Sequence, residues 1–272
     1  MKPRRLSGVA AAALTVAGPL MAHAADLWTL KEPPSQGVFY APPFTWNGFY
    51  VGLNAGGVLG TGSRTTTLYD TGFPLLSTYY PDTLGTNASG WLGGGQTGYN
   101  WQLGGAVFGV ETDLDWTSMN KTYSFTSAPL TVYAPGDIVN LNASARLDWL
   151  GTARARFGFV ATPDYRLMVF GTGGLAYGGG AGYLNVFDNV DGLAWHGAPS
   201  STRVGWTIGA GVEYAITDNV TLKAEYLYYN LGSSNVVTVP NSAASAFFPG
   251  VYAAAKVDYN GSIVRVGVNL KF

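Results

Sequence analysis

The sequence predicts an all-β protein: an eight-stranded antiparallel up-and-down transmembrane β-barrel with a cleaved signal peptide. Three observations support this prediction. The last eleven residues alternate strictly between apolar and other side chains, seven further segments alternate in a similar way, and the N-terminus is arranged like a secretory signal. A period of two places the apolar side chains of a strand on one face. In a membrane barrel that face contacts lipid, and the opposite face lines the lumen.

The final segment, residues 262–272, carries the clearest pattern. Every second residue, counted back from the last one, is apolar, and both cations of the segment, Arg265 and Lys271, fall between these positions. The apolar positions are Val264, Val266, Val268, Leu270 and Phe272. A strand of this kind would leave a soluble protein with an exposed apolar edge, but it suits the closing strand of a membrane barrel.

The N-terminal residues 1–24 are predicted to be a signal peptide. Three cations lie within the first five residues, an apolar Ala-rich run follows over residues 6–20, and residues 22–24 form a small-x-small cleavage motif. The apolar run is too short to span a bilayer. Residues 25–45 contain four prolines, which disfavour a helix, and are predicted to be an extended, mobile periplasmic leader. The barrel is expected over residues 46–272.

Composition agrees with a membrane barrel. Charged residues make up 11% of the chain, against roughly 25% in soluble domains. Aromatic residues at 14% and 38 glycines suit aromatic girdles around a crowded lumen. Without the predicted signal peptide the chain has 12 Lys+Arg and 16 Asp+Glu, and this acidic balance disfavours nucleic acid as a partner. The chain has no cysteine, and a closed barrel needs no disulfide.

Eight segments have the alternation of a membrane strand. They are residues 46–57, 91–102, 105–117, 142–160, 165–177, 203–216, 220–231 and 262–272. Each reaches the ~9–11 residues that a tilted strand needs to cross a bilayer. Short turns are predicted at 102–105, 161–164 and 217–219, and long loops at 58–90, 118–141, 178–202 and 232–256. Alternating short and long connections are typical of an up-and-down barrel with both termini in the periplasm.

Periodicity alone does not exclude a soluble barrel, which would turn its apolar face inward. The ionisable residues favour the membrane barrel, because in a lumen they can pair with one another. The predicted lumen charge network comprises Glu111, Asp113, Asp148, Arg154, Arg156, Glu213, Lys223, Glu225 and Arg265. An unpaired buried charge costs several kcal/mol, so these groups must pair whether or not water passes.

Five motifs resemble a known family when taken in order. They are WNGFYVGLNAG at 46–56, GYNWQ at 98–102, FGVETD at 108–113, LDWLGTARARFG at 147–158 and AEYLY at 224–228. Together they resemble the small outer-membrane β-barrel proteins common in alphaproteobacteria, over residues 46–272. The resemblance implies an abundant, antigenic and mainly structural protein in the outer membrane of a Gram-negative bacterium. Some relatives are described as porin-like or haemin-binding.

In families of this kind, a terminal aromatic preceded by alternating apolar residues resembles the signal that the outer-membrane assembly machinery reads. The resemblance therefore assigns that role to Val264, Val266, Val268, Leu270 and Phe272. The expected partners are this machinery, outer-membrane lipid and lipopolysaccharide. The long loops are further candidates for contact with haemin or with host or phage surface ligands, and the alternative is that they are unselected.

Three functional alternatives stay open. We expect a packed, salt-bridged interior, because eight strands leave room only for side chains; the rival is a small porin-like channel with a charged selectivity filter. His196 is the one histidine outside the predicted signal peptide and a possible haem ligand, although most loop histidines are merely solvated.

An enzyme is not expected. His196 lies beside Ser200 and Ser201, but no acid is placed by a recognisable motif. The sequence GTGGLA at 171–176 matches a dinucleotide-binding pattern, yet glycines rather than a helix follow it. No cofactor and no metal cluster are predicted. The function predicted is a structural barrel that contributes to envelope integrity and surface contact.

Overall fold

The computed structural model describes residues 44–70, 73–74, 84–127, 136, 138–188, 190–198 and 200–272. The predicted signal peptide and residues 25–43 of the predicted leader lie outside the described residues. Within the described ranges, no helix is both long enough and apolar enough to cross a bilayer.

Long antiparallel strands make up most of the fold. The strands are β1 (Gly48–Asp70), β2 (Phe73–Pro74), β3 (Leu84–Leu103), β4 (Ala106–Thr126), β5 (Val139–Val160), β6 (Leu167–Asp188), β7 (Ala194–Gly197), β8 (Ser200–Ala215), β9 (Val220–Val237), β10 (Val239–Pro240) and β11 (Val251–Lys271). One short helix, α1 (Ser242–Phe247), lies between β10 and β11.

The eight long strands pair in a closed ring in the order β1, β3, β4, β5, β6, β8, β9, β11 and back to β1. Every pairing is antiparallel. At Gly52, for example, β1 pairs with Gln96 of β3 on one side and with Asn269 of β11 on the other. The prediction of an all-β protein with an antiparallel sheet is confirmed.

Short connections gather at one end of the ring, which we call the turn end. Residues 104–105 join β3 to β4, residues 161–166 join β5 to β6, and residues 216–219 join β8 to β9. Gly104 has a φ of +59°, a left-handed conformation that glycine adopts without steric cost. These connections occupy the positions at which the sequence predicts short turns.

The opposite half of the ring, which we call the distal half, was predicted as long loops. That prediction is wrong for much of its length, because the long strands have 16–23 residues, about twice the ~9–11 that cross a bilayer. The distal half contains β7, β10 and α1 and has an apolar core of its own. The core residues are Val139, Leu141, Ala143, Leu184, Val186, Leu193, Trp195, Val236, Ala244, Val251 and Val257.

The interior of the ring is layered along its axis. On β4, Val107 near the turn end belongs to a first apolar layer. The inward residues Glu111, Asp113 and Asp115 follow and form an acidic zone, and Met119 then packs against a second apolar layer. That second layer separates the acidic zone from the core of the distal half. Its buried members are Val58, Leu92, Leu147, Leu150, Ala176, Leu227, Tyr229, Leu231 and Ile263.

The outer face around the acidic zone is apolar. Leu53 is 74% exposed and Ile208 is 58% exposed, and similar side chains surround the ring. Aromatic rings border this belt on both sides, with Phe108 and Phe157 in contact at 4.9 Å near the turn end and Trp116 paired with Trp149 farther away. On β4, the exposed residues beyond Trp116 are all polar: Ser118, Asn120, Thr122, Ser124 and Thr126.

Irregularities in strand pairing lie where the belt meets the distal half. The β4–β5 register shifts between Trp116 and Met119, and the β5–β6 register shifts between Ala145 and Trp149. An extra residue in one strand reverses which side chains face inward beyond that point. On β5 the inward residues are 150, 152, 154 and 156 on one side of the shift, but 141, 143 and 147 on the other.

Candidate functional site

A cluster of buried charges fills the ring between the turn end and the second apolar layer, and we call it the charge network. It combines five carboxylates with four cations, and every one of these side chains is at most 3% exposed. The carboxylates are Glu111, Asp113, Asp115, Glu213 and Glu225, and the cations are Arg154, Arg156, Lys223 and Arg265. Alternation within the strands aims all nine inward, and their neighbours along the strands face outward; apart from Thr112 these neighbours are apolar or aromatic.

Arg154 on β5 contacts carboxylates of two strands. Its Nη2 donates to Asp113 Oδ2 at 2.9 Å and also to Glu111 Oε1, both on β4. Its Nη1 donates to Glu225 Oε2 at 2.9 Å on β9. The planar guanidinium with several fixed donors suits such multiple pairing better than an ammonium group.

Lys223 joins opposite sides of the ring. Its Nζ lies 2.8 Å and 2.9 Å from the two carboxylate oxygens of Glu111 and 2.9 Å from Glu225 Oε1. Lys223 is on β9 and Glu111 is on β4, and three strands lie between these two in either direction around the eight-stranded ring. This ion pair therefore crosses the full width of the lumen.

Arg265 on β11 makes a second connection across the lumen. Its Nη1 donates to Asp115 Oδ2 at 2.6 Å and its Nη2 donates to Asp113 Oδ2 at 2.7 Å, both on β4. Its Nε donates to Glu225 Oε1 at 2.8 Å on the neighbouring strand. Among the described cations, Arg265 is the one that pairs with Asp115.

Arg156 binds the part of the network nearest the turn end. Its Nη2 donates to Glu213 Oε2 at 2.6 Å, and its Nη1 donates to the Tyr50 hydroxyl at 3.0 Å. Its guanidinium carbon also lies 4.2 Å from the ring centroid of Phe170. Arg156 thus meets a carboxylate, a phenol and an aromatic face, and cation–π contact adds to the ionic one.

Neutral side chains complete the network, and these were not assigned to it from the sequence. The Tyr50 hydroxyl donates to Glu111 Oε2 at 2.7 Å, and Thr152 Oγ1 donates to Asp113 Oδ2 at 2.6 Å. Asn269 Nδ2 donates to Glu213 Oε1 at 2.8 Å. The sequence does contain a signal for these three residues. Tyr50, Thr152 and Asn269 each lie an even number of residues from another inward polar or charged residue of the same strand, and such spacing places them on the same face. Asp115 was missed as well, although it follows Asp113 at the same spacing.

Asp148 lies outside the network, contrary to the prediction. Its side chain is 49% exposed and pairs with Arg146 at 3.2 Å on the outer face. The cause is the register shift between Ala145 and Trp149, which turns residue 148 away from the side that Arg154 and Arg156 share. The same shift buries Leu147, which the alternation had placed outside. The eight other predicted network residues all lie within the cluster.

His196 lies on β7 in the distal half rather than in a loop. Its ring is exposed, and Nδ1 is in hydrogen-bonding contact with the Asn185 side chain. Within the described ranges, no group of three or more His, Cys, Asp or Glu side chains is arranged to hold a metal ion. Haem ligation by His196 stays a prediction.

The residues of the predicted assembly signal line the outer face of β11. Val264, Val266, Val268 and Leu270 are 46–60% exposed, and Phe272 is 68% exposed. The Phe272 ring lies 6.2 Å from that of Phe49 on the adjacent strand β1. They form one apolar stripe beside the pairing that closes the ring, and their role in assembly stays a prediction.

The network has the chemistry of a structural support. Each carboxylate is bound by a cation, and the hydroxyl and amide groups take up further oxygens. Six buried side-chain N and O atoms of the described residues lack a hydrogen-bond partner, and four of these belong to the network, namely Asp113 Oδ1, Asp115 Oδ1, Arg154 Nε and Arg156 Nε. A buried ion pair of this kind is costly to disrupt, because removal of one partner leaves an uncompensated charge.

A closed antiparallel sheet that is apolar outside and charged inside defines an integral β-barrel membrane protein, since a soluble barrel has the opposite arrangement. The family model described as "Outer membrane protein beta-barrel domain" matches residues 10–272, and the chain belongs to this family. The resemblance predicted from the five motifs is confirmed.

Curated relatives agree with this assignment. The chain is 39% identical over 252 residues to the "31 kDa outer-membrane immunogenic protein" of Brucella melitensis biotype 1, covering 92% of this chain and 93% of the relative. It is 28% identical over 233 residues to the "22 kDa outer membrane protein" of Rhizobium leguminosarum bv. viciae, covering 85% and 80%. The chain is an outer-membrane protein of a Gram-negative bacterium, as predicted.

Among solved structures, the outer membrane protein OprG from Pseudomonas aeruginosa is similar over 84% of this chain and 98% of its own. The TM-score is 0.45 and the sequence identity is 10%. A likeness at this level carries no argument about activity.

Proposed function

We propose that the chain is a structural outer-membrane barrel whose eight long strands cross the bilayer around an interior closed to solutes. The ion pair between Lys223 and Glu111 carries this proposal, because it joins opposite strands at 2.8 Å. The lumen of an eight-stranded barrel is only wide enough for side chains. Arg265 crosses the same space, and an apolar layer adjoins the network on either side.

The aromatic borders support the membrane placement. Phe108 and Trp116 on β4 are eight residues apart, which corresponds to about 27 Å along a strand at ~3.4 Å per residue. A tilt of about 40° reduces this to about 20 Å, near the ~25 Å apolar band of such barrels. In the proposed orientation the turn end faces the periplasm and the distal half faces outward. A cleaved signal peptide at residues 1–24 directs the export.

The distal half supports a role in surface contact. Its outer face is polar along β4. The side chain of Phe247, at the end of α1, is 71% exposed. The names of the Brucella relatives describe outer-membrane immunogenic proteins, and we propose that the distal half of this chain is exposed at the cell surface. Lipid and lipopolysaccharide are the proposed contacts of the apolar belt, the outer-membrane assembly machinery inserts the chain, and no catalytic activity is proposed.

Cysteine labelling in intact cells tests the orientation. The chain has no cysteine, so a single introduced thiol reports one position. Phe247→Cys in α1 is expected to react with a membrane-impermeant maleimide in intact cells. Asp218→Cys in the β8–β9 turn, where the native side chain is 80% exposed, is expected to react only after lysis. Labelling of Asp218→Cys in intact cells contradicts the proposed orientation.

A deletion strain tests the function. Loss of the protein is expected to raise sensitivity to detergents, because the envelope loses an abundant structural component, while the uptake of small solutes stays unchanged. Complementation with the wild-type gene is expected to restore resistance. A strain with normal detergent resistance but reduced solute uptake contradicts the structural role and favours the channel.

A further inference from the structure

Residues 44–47, which precede β1, lie across the mouth of the barrel at the turn end, and we call them the plug segment. Phe44 is 7% exposed and Trp46 is 1% exposed, although the sequence predicts a mobile leader through residue 45 and a strand from residue 46. Their rings contact edge to face, with centroids 4.9 Å apart. They pack against four buried residues of three strands, namely Val107, Met168, Phe170 and Ala215. These residues belong to β4, β6 and the end of β8, and the plug segment thus covers the lumen rather than its rim.

Hydrogen bonds fix the plug segment to two of the short connections. The Trp46 backbone N–H donates to Gln102 Oε1 at 2.7 Å, next to the β3–β4 turn. The Trp46 indole N–H donates to the Tyr165 carbonyl at 2.8 Å, and the Phe44 N–H donates to the Asp164 carbonyl at 3.2 Å. Both N–H groups of the buried Trp46 are therefore satisfied by the barrel itself.

The side chains of two cations, Arg166 and Lys271, contact the ring of Phe44. The guanidinium carbon of Arg166 lies 5.7 Å from the ring centroid, and Lys271 Nζ lies 4.8 Å from it. Arg166 belongs to the β5–β6 connection, whereas Lys271 ends β11, the strand that closes the ring against β1. Cation–π contact at these distances is attractive. The plug segment consequently contacts the barrel on widely separated sides of the mouth.

The β5–β6 connection is shaped to receive the plug segment. Tyr165 has a φ of 63°, which is the one left-handed non-glycine conformation among the described residues. Such a conformation is costly and persists where surrounding contacts determine it, and the Tyr165 carbonyl is the acceptor for Trp46. Neighbouring Asp164 accepts from the Arg166 N–H at 3.2 Å. Hydrogen bonds from Thr162 and from this N–H hold the pKa of the Asp164 carboxyl below its usual range.

We propose that the plug segment closes the mouth of the barrel at the turn end and keeps water from the charge network behind it. Phe170 connects the two, because it packs in the apolar cluster of the mouth and lies against the guanidinium of Arg156. Ion pairs strengthen when water is excluded. The plug segment is thus a built-in closure whose action is separate from the ion pairs that fill the lumen.

Thiol accessibility tests the closure. Val107 is 1% exposed beneath the plug segment, and Val107→Cys supplies the single thiol of a chain without cysteine. The full-length protein is folded in detergent micelles, folding is verified by heat-modifiable gel mobility, and labelling with a water-soluble maleimide is followed over time. Labelling requires opening of the mouth, so Trp46→Ala is expected to accelerate it by at least about tenfold.

Trp101→Ala is the matched control. Trp101 is a half-exposed tryptophan on the outer face near the turn end, where it pairs with Phe108. Its ring centroid lies 4.7 Å from that of Tyr99, and it does not belong to the buried cluster that contains Phe44 and Trp46. Its loss is expected to leave the labelling rate of Val107→Cys unchanged. If Trp46→Ala does not fold, Phe44→Ala measured in the same way decides the matter. Equal rates in the plug and control variants, or rapid labelling with the plug segment intact, overturn the proposal.

Discussion

Removal of single cations from the charge network provides a graded test of how the barrel is stabilised. Arg265→Met and Lys223→Met each delete one positive charge from the same buried cluster, and both native side chains are 1% exposed. The change in formal charge is therefore the same. The variants differ in what they leave behind, since one leaves a carboxylate without a cation and the other does not.

The contacts set the expected magnitudes. Without Arg265, Asp115 loses its one cation among the described residues, and breaking such a buried pair costs about 3–5 kcal/mol. Without Lys223, Glu111 keeps both Arg154 and Arg156, and Glu225 keeps Arg154 and Arg265. The cost is then about 1.5–3 kcal/mol, the range for a lost hydrogen bond to a charged group.

The assay is reversible urea unfolding in detergent micelles or lipid vesicles, with the folded fraction read from tryptophan fluorescence and heat-modifiable mobility. Arg265→Met is expected to lower the free energy of unfolding by roughly 2 kcal/mol more than Lys223→Met. Adding Asp115→Asn to Arg265→Met is expected to recover part of the loss, because the orphaned charge is gone. Equal destabilisation by the two single variants, together with no recovery in the double variant, refutes the assignment of the pairs.

Three further outcomes are expected. Leu53→Arg, in the middle of the apolar belt, should lower the free energy of unfolding in vesicles by about 2–4 kcal/mol, whereas Thr122→Arg on the distal half should have little effect. Gly56→Ala should destabilise by about 1–3 kcal/mol in the same assay, because the new methyl group would lie 2.6 Å from the Arg265 Cα. The adjacent outward change Gly57→Ala should be nearly neutral, because the new methyl group would lie 4.0 Å from the Gly90 carbonyl oxygen. Phe272→Asp should leave the chain in the periplasmic fraction on cell fractionation, and normal outer-membrane insertion of this variant would remove Phe272 from the assembly signal.

The sequence was sufficient for the parts of the fold that depend on alternation. Arg154 and Arg156 are two residues apart on β5, and both face inward with Glu111 of β4. Period two alone places such residues on a common face. The same pattern places Tyr50 and Asp115 on the inward faces of β1 and β4, although neither belongs to the predicted network.

Features that interrupt the alternation were not predictable in this way. Asp148 is six residues from Arg154, an even spacing, but the register shift at residues 145–149 turns it outward. A bulge adds one residue without changing the local composition, so its position does not follow from hydrophobic period. The distal half was missed for a related reason: its Gly-, Ser- and Thr-rich segments have the composition of loops, and their strands depend on pairing with one another.

The plug segment shows a third limit. Four prolines before residue 44 indicated an extended leader, and this composition gives no sign of where the chain meets the barrel. Trp46 is anchored by Gln102 and Tyr165, which are 56 and 119 residues away in sequence. Contacts of that range depend on the closed ring, and local pattern does not contain them.

Conductance of the purified, refolded protein in planar lipid bilayers is the most direct test of the closed interior. Lys223 and Arg265 cross the lumen to Glu111 and Asp115, and the account predicts a silent membrane at physiological salt despite verified insertion of folded protein. Discrete conductance steps that depend on the folded barrel and disappear when it is unfolded would contradict the closed interior and favour a small pore.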